Sequence, residues 1–227
     1  VGSEMCIRDR LCKVCKAPYK YNFVTYNHLG DYYCSECGYK RPELKYKMEG
    51  IIDQTPNSSS VMINGNEVTI SQSGIYNIYN GLCAYSIASE SGIENDIIAS
   101  SLGKVDSSFG RQEKIQIEDK NVQIILVKNP AGYNQALDTL CLNKESFSTL
   151  FMLNDNYADG RDVSWIWDVN FEKLSSLPIE DVFISGIRLY DMAVRLKTAG
   201  LKEESFIIEE DYEKLTEKLK ASKSSNI

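Results

Sequence analysis

Four cysteines near the start of the chain have the spacing of metal ligands. Cys12 and Cys15 form one C-x2-C pair, and Cys34 and Cys37 form a second pair 18 residues later. Each pair can form a knuckle whose two thiolates face one metal ion, and four thiolates suit a closed, structural zinc site. The alternatives are four free thiols or two disulfides. Zinc is favoured because residues 11–45 carry few aliphatic side chains and need another source of stability.

The remaining cysteines and the histidine limit the chemistry of the chain. There are seven Cys and one His, so a self-contained Ser/His/Asp or Cys/His catalytic set would depend on His28 alone. Cys83 and Cys141 lie in predicted helices, and we expect them to be buried as small apolar residues. Tyrosines crowd residues 19–39, where they could stack on bases or pack the module itself. The acidic composition favours packing.

The composition and the first ten residues limit the classes of protein to which the chain can belong. Residues 1–10 match no pattern in the rest of the chain and resemble a translated adaptor sequence, so we expect a non-native leader and a natural gene cut at about Leu11. No secretory signal and no run of 18 apolar residues is present. With 25 basic and 32 acidic residues, the net charge of -7 argues against nucleic-acid partners. We expect a cytoplasmic protein.

The elements that must position any site follow from the apolar pattern. Residues 46–73 predict strands with a tight turn at Asn64-Gly65, and residues 74–92 and 94–102 predict helices, the first capped by Ser73. The polar stretch 104–113 predicts a domain boundary.

Beyond that boundary, strands and helices alternate. Strands are predicted at 122–127, 149–153, 182–185 and 206–208, and helices at 133–142, 171–174, 187–199 and 212–220. This alternation predicts a mainly parallel sheet covered by helices, with the site in the loops after the strands, at 128–132, 154–168 and Gly186. We expect the tail 221–227 to be frayed.

Several motifs in these regions resemble the ordered landmarks of Mur ligases, ATP-dependent enzymes related to folylpolyglutamate synthase. They are Tyr76-Asn77-Ile78-Tyr79-Asn80, Phe109-Gly110-Arg111-Gln112-Glu113 and Lys128-Asn129-Pro130-Ala131-Gly132. The Asp-rich tryptophan loop at 155–168, downstream of a four-cysteine ribbon, more specifically resembles the MurT group, the synthetase subunits of lipid II isoglutaminyl synthase. The resemblance covers residues 11–227.

The resemblance implies an α/β fold. A C-terminal Rossmann-like Mur ligase domain would follow the end of a Mur ligase central domain that carries the four-cysteine zinc ribbon. The implied divisions are the leader 1–10, the ribbon 11–45, the central-domain part 46–108 and the C-terminal domain 109–227. The family's P-loop and Mg²⁺ ligands would lie upstream of residue 11, since no G-x-x-x-x-G-K-[ST] motif occurs here. ATP and Mg²⁺ are therefore expected in the full-length protein, and this fragment should be inactive alone.

An activity and partners are implied as well. The complex would amidate the α-carboxyl of D-glutamate in lipid II to D-isoglutamine, at the inner face of a bacterial membrane. The synthetase subunit would activate the carboxylate as an acyl phosphate, and a GatD-like glutaminase subunit would supply ammonia from glutamine. The alternative is a non-catalytic binding module made of a zinc ribbon and an α/β domain.

Four residues are assigned to the nucleotide by the same resemblance: Asn77, Asn80, Arg111 and Lys128. An amide matches the donor–acceptor edge of adenine, a guanidinium suits phosphate or ribose, and an ammonium can offset the charge of an acyl phosphate. The alternatives are a helix cap for each Asn, a surface ion pair for Arg111 and a solvated loop position for Lys128. Family members usually have His where Tyr76 stands.

Three aspartates are the candidate catalytic residues. The resemblance implies that one Asp of this loop completes the Cys–His pair of the glutaminase by orienting its imidazole. Asp155 is favoured because it follows the strand directly, and Asp159 and Asp162 come next. The alternative for each is turn formation. Trp165 and Trp167 could pack the loop on its sheet or contact the partner.

Overall fold

The computed structural model describes residues 10–26, 29–105, 111–158 and 160–227, with only the backbone described at Tyr26, Leu29 and Arg111. The chain forms two compact units, Val1–Lys47 (unit 1) and Met48–Ile227 (unit 2). This division does not decide the predicted domain limits, which stay predictions.

Unit 1 is built on one antiparallel hairpin of β1 (Lys20–Tyr26) and β2 (Leu29–Tyr33). The hairpin strands lie unusually close at Gly30, where a Cβ atom would be 2.2 Å from the carbonyl oxygen of Phe23. The rings of Tyr19 and Tyr32 pack with centroids 4.6 Å apart. Ring packing within the module therefore agrees with the favoured interpretation of the tyrosines.

Unit 2 begins with an antiparallel sheet of β3 (Met48–Gln54), β4 (Ser59–Ile63) and β5 (Asn66–Ile70). The turn at Asn64-Gly65 is confirmed, since both residues have positive φ angles of 46° and 78°. Two helices follow, α1 (Ile75–Glu90) and α2 (Asn95–Leu102).

The prediction that Ser73 caps α1 is wrong. Gly74 occupies the cap position with φ 94°, and no side-chain cap bond forms. A Cβ at Gly74 would lie 3.2 Å from the Thr139 hydroxyl, so this glycine permits a close approach between segments.

The second half of unit 2 contains the predicted alternation of strands and helices. Its elements are β6 (Arg111–Ile117), β7 (Lys120–Ile125), α3 (Pro130–Leu140), β8 (Phe147–Met152), β9 (Ile179–Ser185), α4 (Leu189–Thr198), β10 (Phe206–Ile208) and α5 (Tyr212–Ala221). Two short 3-10 helices, Ser164–Asp168 and Phe171–Ser176, lie between β8 and β9. The strands β10, β9 and β8 form a parallel sheet in that order, which confirms the α/β fold.

Two predictions for segments outside this sheet are wrong. β7 pairs antiparallel with β6, a strand that the polar stretch 104–113 concealed. The tail is not frayed, because Ser222 and Ser224 are buried and the backbone of residues 225–227 bonds to strand residues on both sides. The tail is ordered by backbone hydrogen bonds to those strands, and such bonds cannot be predicted from its polar side chains.

The core of unit 2 lies between the parallel sheet and its helices, with Phe171, Ile184 and Leu196 fully buried. Cys83 and Cys141 are exposed, contrary to prediction. Cys83 falls opposite the buried face of α1, which is set by Ile78, Gly81 and Tyr85 at helical spacing. No helix among the described residues is long and apolar enough to cross a membrane.

Candidate functional site

Two similar backbone turns present the four cysteines of unit 1. In the first, the N–H of Lys16 donates to the carbonyl of Cys12 at 2.9 Å, and in the second the N–H of Gly38 donates to the carbonyl of Cys34 at 3.0 Å. Lys16 and Gly38 both have positive φ angles, 64° and 73°. Each C-x2-C pair is thereby closed into a knuckle that turns both thiols to one side.

The four thiols converge on one point. All four sulfur atoms lie within 4.8 Å of one another, with Cys12–Cys37 and Cys15–Cys34 separations of 3.5 and 3.4 Å. Tetrahedral zinc with bonds of about 2.3 Å places its sulfurs roughly 3.8 Å apart, so the cluster fits this ion. The four predicted ligands are therefore brought together at a site that can hold a metal.

The electrostatics of the cluster favour a thiolate at Cys12. Burial raises the pKa of this thiol, but hydrogen bonds from the backbone N–H groups of Cys15 and Val14 and from neighbouring thiols outweigh it and lower the pKa to about 6. A thiolate near neutral pH is the form that binds a metal ion. His28 lies outside the described residues.

A second constellation lies at the C-terminal edge of the parallel sheet in unit 2. The loops after β8 and β9 are locked together by main-chain bonds: the N–H of Arg188 donates to the carbonyl of Leu153 at 3.0 Å. The Asn154 carboxamide oxygen accepts the N–H of Ile187 at 3.0 Å. A Cβ at Gly186 would lie 2.4 Å from the Leu153 carbonyl oxygen, so only glycine allows this approach.

Asp155 is held within this constellation by Arg188. Arg188 donates from Nη1 to Oδ2 of Asp155 at 3.2 Å and from Nε to Oδ2 of Asp191 at 2.7 Å. The two carboxylates raise the pKa of Arg188, and Arg188 in turn lowers the pKa of Asp191. The side chain of Asp155 is 23% exposed, so an oriented carboxylate is within reach of a group from outside.

The other two predicted aspartates differ from Asp155. Asp162 accepts the backbone N–H of Ser164 at 2.8 Å at the start of a 3-10 helix, and bonds from the Ser164 hydroxyl and N–H lower its pKa. That geometry is the turn formation considered as the alternative. Asp159 lies outside the described residues.

The tryptophan loop is fastened to α4 by a buried arginine. Arg195 is 3% exposed and donates to the carbonyls of Ile166 at 3.2 Å and Val169 at 2.5 Å. Its guanidinium lies 5.5 Å from the ring centroid of Trp167, which is 52% exposed, while Trp165 packs beside Tyr133. Trp165 therefore packs the loop, whereas Trp167 presents part of its ring to the surface.

The predicted nucleotide residues do not form one described cluster. Asn77 is buried and donates from Nδ2 to the Ser73 carbonyl at 2.7 Å. This bond is not the helix cap considered as the alternative, because no side chain caps the N-terminus of α1. Asn80 is exposed on α1, and Lys128 is exposed in the loop before α3. The side chain of Arg111 and the residues Phe109-Gly110 lie outside the described part of the chain.

Sequence reasoning missed two residues that organise this part of the molecule, Arg188 and Arg195. Each directly precedes a leucine of α4, and the sequence alone does not distinguish either of them from an ordinary surface charge. The signal for Arg195 was its position on the buried stripe, three residues after Met192 and next to Leu196. The signal for Arg188 was its place directly after the strand-end loop at Gly186.

Comparison with known proteins identifies the second half of unit 2. A family model described as MurT ligase C-terminal matches residues 126–227. Residues 126–227 belong to the MurT ligase C-terminal family. The Asp155 loop, Arg188 and Arg195 lie inside this MurT region, and the four-cysteine cluster lies outside it.

Full-length relatives extend the MurT similarity beyond that region. The chain is 41% identical over 194 residues to subunit MurT of lipid II isoglutaminyl synthase (glutamine-hydrolyzing) from Streptococcus pneumoniae, covering 86% of this chain and 43% of the relative. The MurT subunit from Staphylococcus aureus strain COL is 36% identical over 210 residues, covering 92% and 47%. The predicted resemblance to MurT is confirmed, and the chain spans less than half the length of these curated relatives.

A solved structure shows the same fold at lower identity. MurF from Acinetobacter baumannii superimposes with a TM-score of 0.61 and 18% identity, covering 84% of this chain and 41% of that one. The predicted Mur ligase-like α/β architecture of the MurT region is thereby confirmed.

Proposed function

We propose that this chain is part of the synthetase subunit of a lipid II isoglutaminyl synthase, a carbon–nitrogen ligase. The protein would use ATP, Mg²⁺ and glutamine to amidate the α-carboxyl of D-glutamate in lipid II to D-isoglutamine, at the cytoplasmic face of a bacterial membrane. The observation that carries the proposal is 41% identity over 86% of the chain to a curated MurT subunit. Domain limits at 11–45, 46–108 and 109–227 belong to the same proposal.

The thiol cluster of unit 1 is proposed to hold structural Zn²⁺. All four ligands are cysteines, so the coordination sphere is closed and leaves no position for a substrate or water. The ion would stabilise the ribbon and take no part in the ligase reaction.

Asp155 is the proposed contribution of this chain to a GatD-like glutaminase partner. Arg188 holds one carboxylate oxygen, and among the described residues no group donates to the other oxygen. That free oxygen can accept an imidazole N–H from the partner, orient the ring and stabilise its protonated form. Asp162 accepts the backbone N–H of Ser164 and so serves a turn within its own loop, which ranks it below Asp155, and Asp159 remains a candidate.

Nucleotide binding is proposed for Asn77, Asn80, Arg111 and Lys128. The described side chains differ in whether they already make another contact. Asn80 and Lys128 are exposed and can reach a ligand, and a lysine near the acyl phosphate would offset its negative charge. Asn77 already donates to the backbone, which leaves its carboxamide oxygen as the group for the adenine amino group.

The test uses a complete synthetase subunit that contains this sequence, purified with its glutaminase partner. Asp155→Asn should lower glutamine hydrolysis at least about 100-fold, because an amide cannot stabilise an imidazolium as a carboxylate does. Asp162→Asn is the matched control and should retain hydrolysis, since its carboxylate serves a local turn. Glutamate release measures the rate, and co-elution of the two subunits shows that the complex is intact.

The outcomes separate the parts of the proposal. Wild-type hydrolysis in Asp155→Asn, Asp159→Asn and Asp162→Asn alike would contradict the borrowed-aspartate role. Failure of the unaltered complex to amidate lipid II with ATP and glutamine would contradict the proposed activity itself.

A further inference from the structure

Gln112 interrupts β6 with an unusual backbone conformation. Arg111 pairs with Ile125, and Glu113 pairs with Ile124. Gln112 is therefore an extra residue in the strand, a β-bulge. Its φ angle of 59° lies in the left-handed region, which is costly for a residue with a Cβ atom. Such a conformation persists where the surrounding structure compensates for it, and a bulge commonly serves to direct a side chain.

The side chain of this bulge residue is buried and pairs with the main chain of Ser73. Gln112 is 3% exposed and lies 39 positions from Ser73. Its Nε2 donates to the Ser73 carbonyl at 3.0 Å, and its Oε1 accepts the Ser73 N–H at 3.2 Å. One carboxamide therefore satisfies both main-chain groups of a single residue, as a neighbouring strand would.

Ser73 is held through its main chain and passes the contact on to α1. Its hydroxyl is buried and has no hydrogen-bond partner among the described residues. Its carbonyl accepts a second bond, from Nδ2 of Asn77 at 2.7 Å. Gln112 of β6 and Asn77 of α1 thus meet on one oxygen atom. Because this bond fixes Nδ2 of Asn77, it also fixes the direction of the carboxamide oxygen on the same group.

We propose that Gln112 is a positioning residue for the nucleotide. It holds Ser73, which orients the carboxamide of Asn77, and it holds the backbone of its strand neighbour Arg111 near the start of α1. The inference rests on the nucleotide roles proposed for Asn77 and Arg111, and it adds the group that joins their two segments. Glutamine suits this position because its carboxamide carries a donor and an acceptor side by side.

The test measures the Kd of Mg-ATP by calorimetry on a complete synthetase subunit that contains this sequence. Gln112→Gly removes the carboxamide but suits the positive φ angle, so it separates the pairing with Ser73 from backbone strain. It should raise the Kd about tenfold, because the ligand must then order Asn77 itself. Hydrogen exchange at the Ser73 amide should become about tenfold faster or more. Gln116→Gly is the matched control, since Gln116 lies on the same strand and makes an exposed bond.

Gln112→Glu provides a pH profile that a loss of packing would not produce. A carboxylate cannot donate to the Ser73 carbonyl, whereas a protonated carboxyl group donates and accepts as the amide does. Burial raises the pKa of a carboxyl group, so protonation is reached at mildly acidic pH. The ratio of the Kd of this variant to that of the unaltered subunit should therefore fall between about pH 8 and about pH 5. The same ratio for Gln116→Glu should stay constant.

The outcomes distinguish this inference from the proposed function. An unaltered Kd in Gln112→Gly, or a ratio for Gln112→Glu that does not depend on pH, would overturn the positioning role. If Gln112→Gly also loses protection at the amide of Phe183, in the middle strand of the parallel sheet, the pH series decides alone. Failure of the unaltered subunit to bind Mg-ATP would contradict the proposed nucleotide site itself, and this inference with it.

Discussion

The two units of the chain differ in how many apolar side chains they bury. Among the described residues of unit 1 only Cys12, Gly30 and Cys34 are buried, so there is almost no apolar core. Unit 2 has a large cluster of buried aliphatic and aromatic side chains in its second half, which includes Phe171, Ile184 and Leu196. A small unit without a core needs a metal or a covalent link, whereas a large one can depend on packing. The predictions below test that difference.

The largest expected effect is the loss of one cysteine of the proposed zinc site. Cys34→Ser should reduce bound zinc from one ion per chain to almost none and abolish protection of the β1–β2 amides, because a structural zinc site supplies the folding free energy of its module. Cys83→Ser is the control, since Cys83 is exposed on α1 and should leave both properties unchanged. Metal analysis and hydrogen exchange measure the outcome. A ribbon that stays protected after chelation would show that packing stabilises unit 1 after all.

Within unit 2 the largest effect is expected at a buried arginine. Arg195→Met should lower the free energy of unfolding by about 2–4 kcal/mol, because the buried carbonyls of Ile166 and Val169 lose their donor. Lys197→Met is the matched control on the same helix: its ion pair with Glu203 is exposed, so it should change the free energy of unfolding far less than Arg195→Met does. Urea unfolding followed by tryptophan fluorescence measures both. Equal effects would mean that Arg195 acts as a surface charge.

The difference between the units also explains what the sequence revealed. The cysteine ligands were predictable because their geometry is local: two C-x2-C knuckles fix the thiols within a few residues, and only the meeting of the pairs needs the fold. Arg188 and Asp155 are 33 positions apart, and their ion pair exists only because β8 and β9 lie side by side. The alternation of strands and helices predicted that edge of the sheet, but it could not predict which side chains pair there.

The tail gives the same lesson for the fold itself. A serine- and lysine-rich stretch has the composition of a frayed end, yet Lys120 donates to the carbonyl of Ser222 across 102 positions. Asn77 shows the same limit at a single side chain. An amide can bind adenine or bond to the backbone, and the sequence alone does not show that Asn77 bonds to the backbone. Composition cannot report contacts that only the completed fold supplies.

A smaller effect is expected where the tail is fastened. Lys120→Met should destabilise unit 2 by about 1–3 kcal/mol, because the buried Ser222 carbonyl loses the Nζ donor at 2.7 Å. Lys220→Met is the matched control, since its ion pair with Glu118 is exposed and should contribute far less to stability than the buried bond of Lys120. Urea unfolding measures both variants. Faster exchange at the Ser148 amide in Lys120→Met alone would link the loss to the tail, and equal exchange in both variants would contradict that link.

The smallest expected effect is electrostatic and concerns the edge of the sheet at Arg188. A hydrogen bond from Arg188, aided by its charge, holds the pKa of Asp191 below the ordinary aspartate value of about 4. A depressed native pKa stabilises the fold above the unfolded pKa, and this contribution is lost as the pH falls through the native value. In Arg188→Gln the pKa of Asp191 should therefore rise, and the loss of stability below about pH 4 should become shallower.

The control for this titration is Glu209, whose pKa is lowered mainly by a hydrogen bond from Lys218. Carboxyl NMR titration should show Asp191 moving and Glu209 unchanged in Arg188→Gln. If Asp191 kept its low pKa, the Arg188 pair would not order this edge, and the carboxylate of Asp155 would lose its proposed support. Unit 1 has no comparable carboxylate–guanidinium–carboxylate set in its described residues. Its stability between pH 3 and 5, at about the aspartate pKa, should therefore follow release of the proposed zinc ion instead.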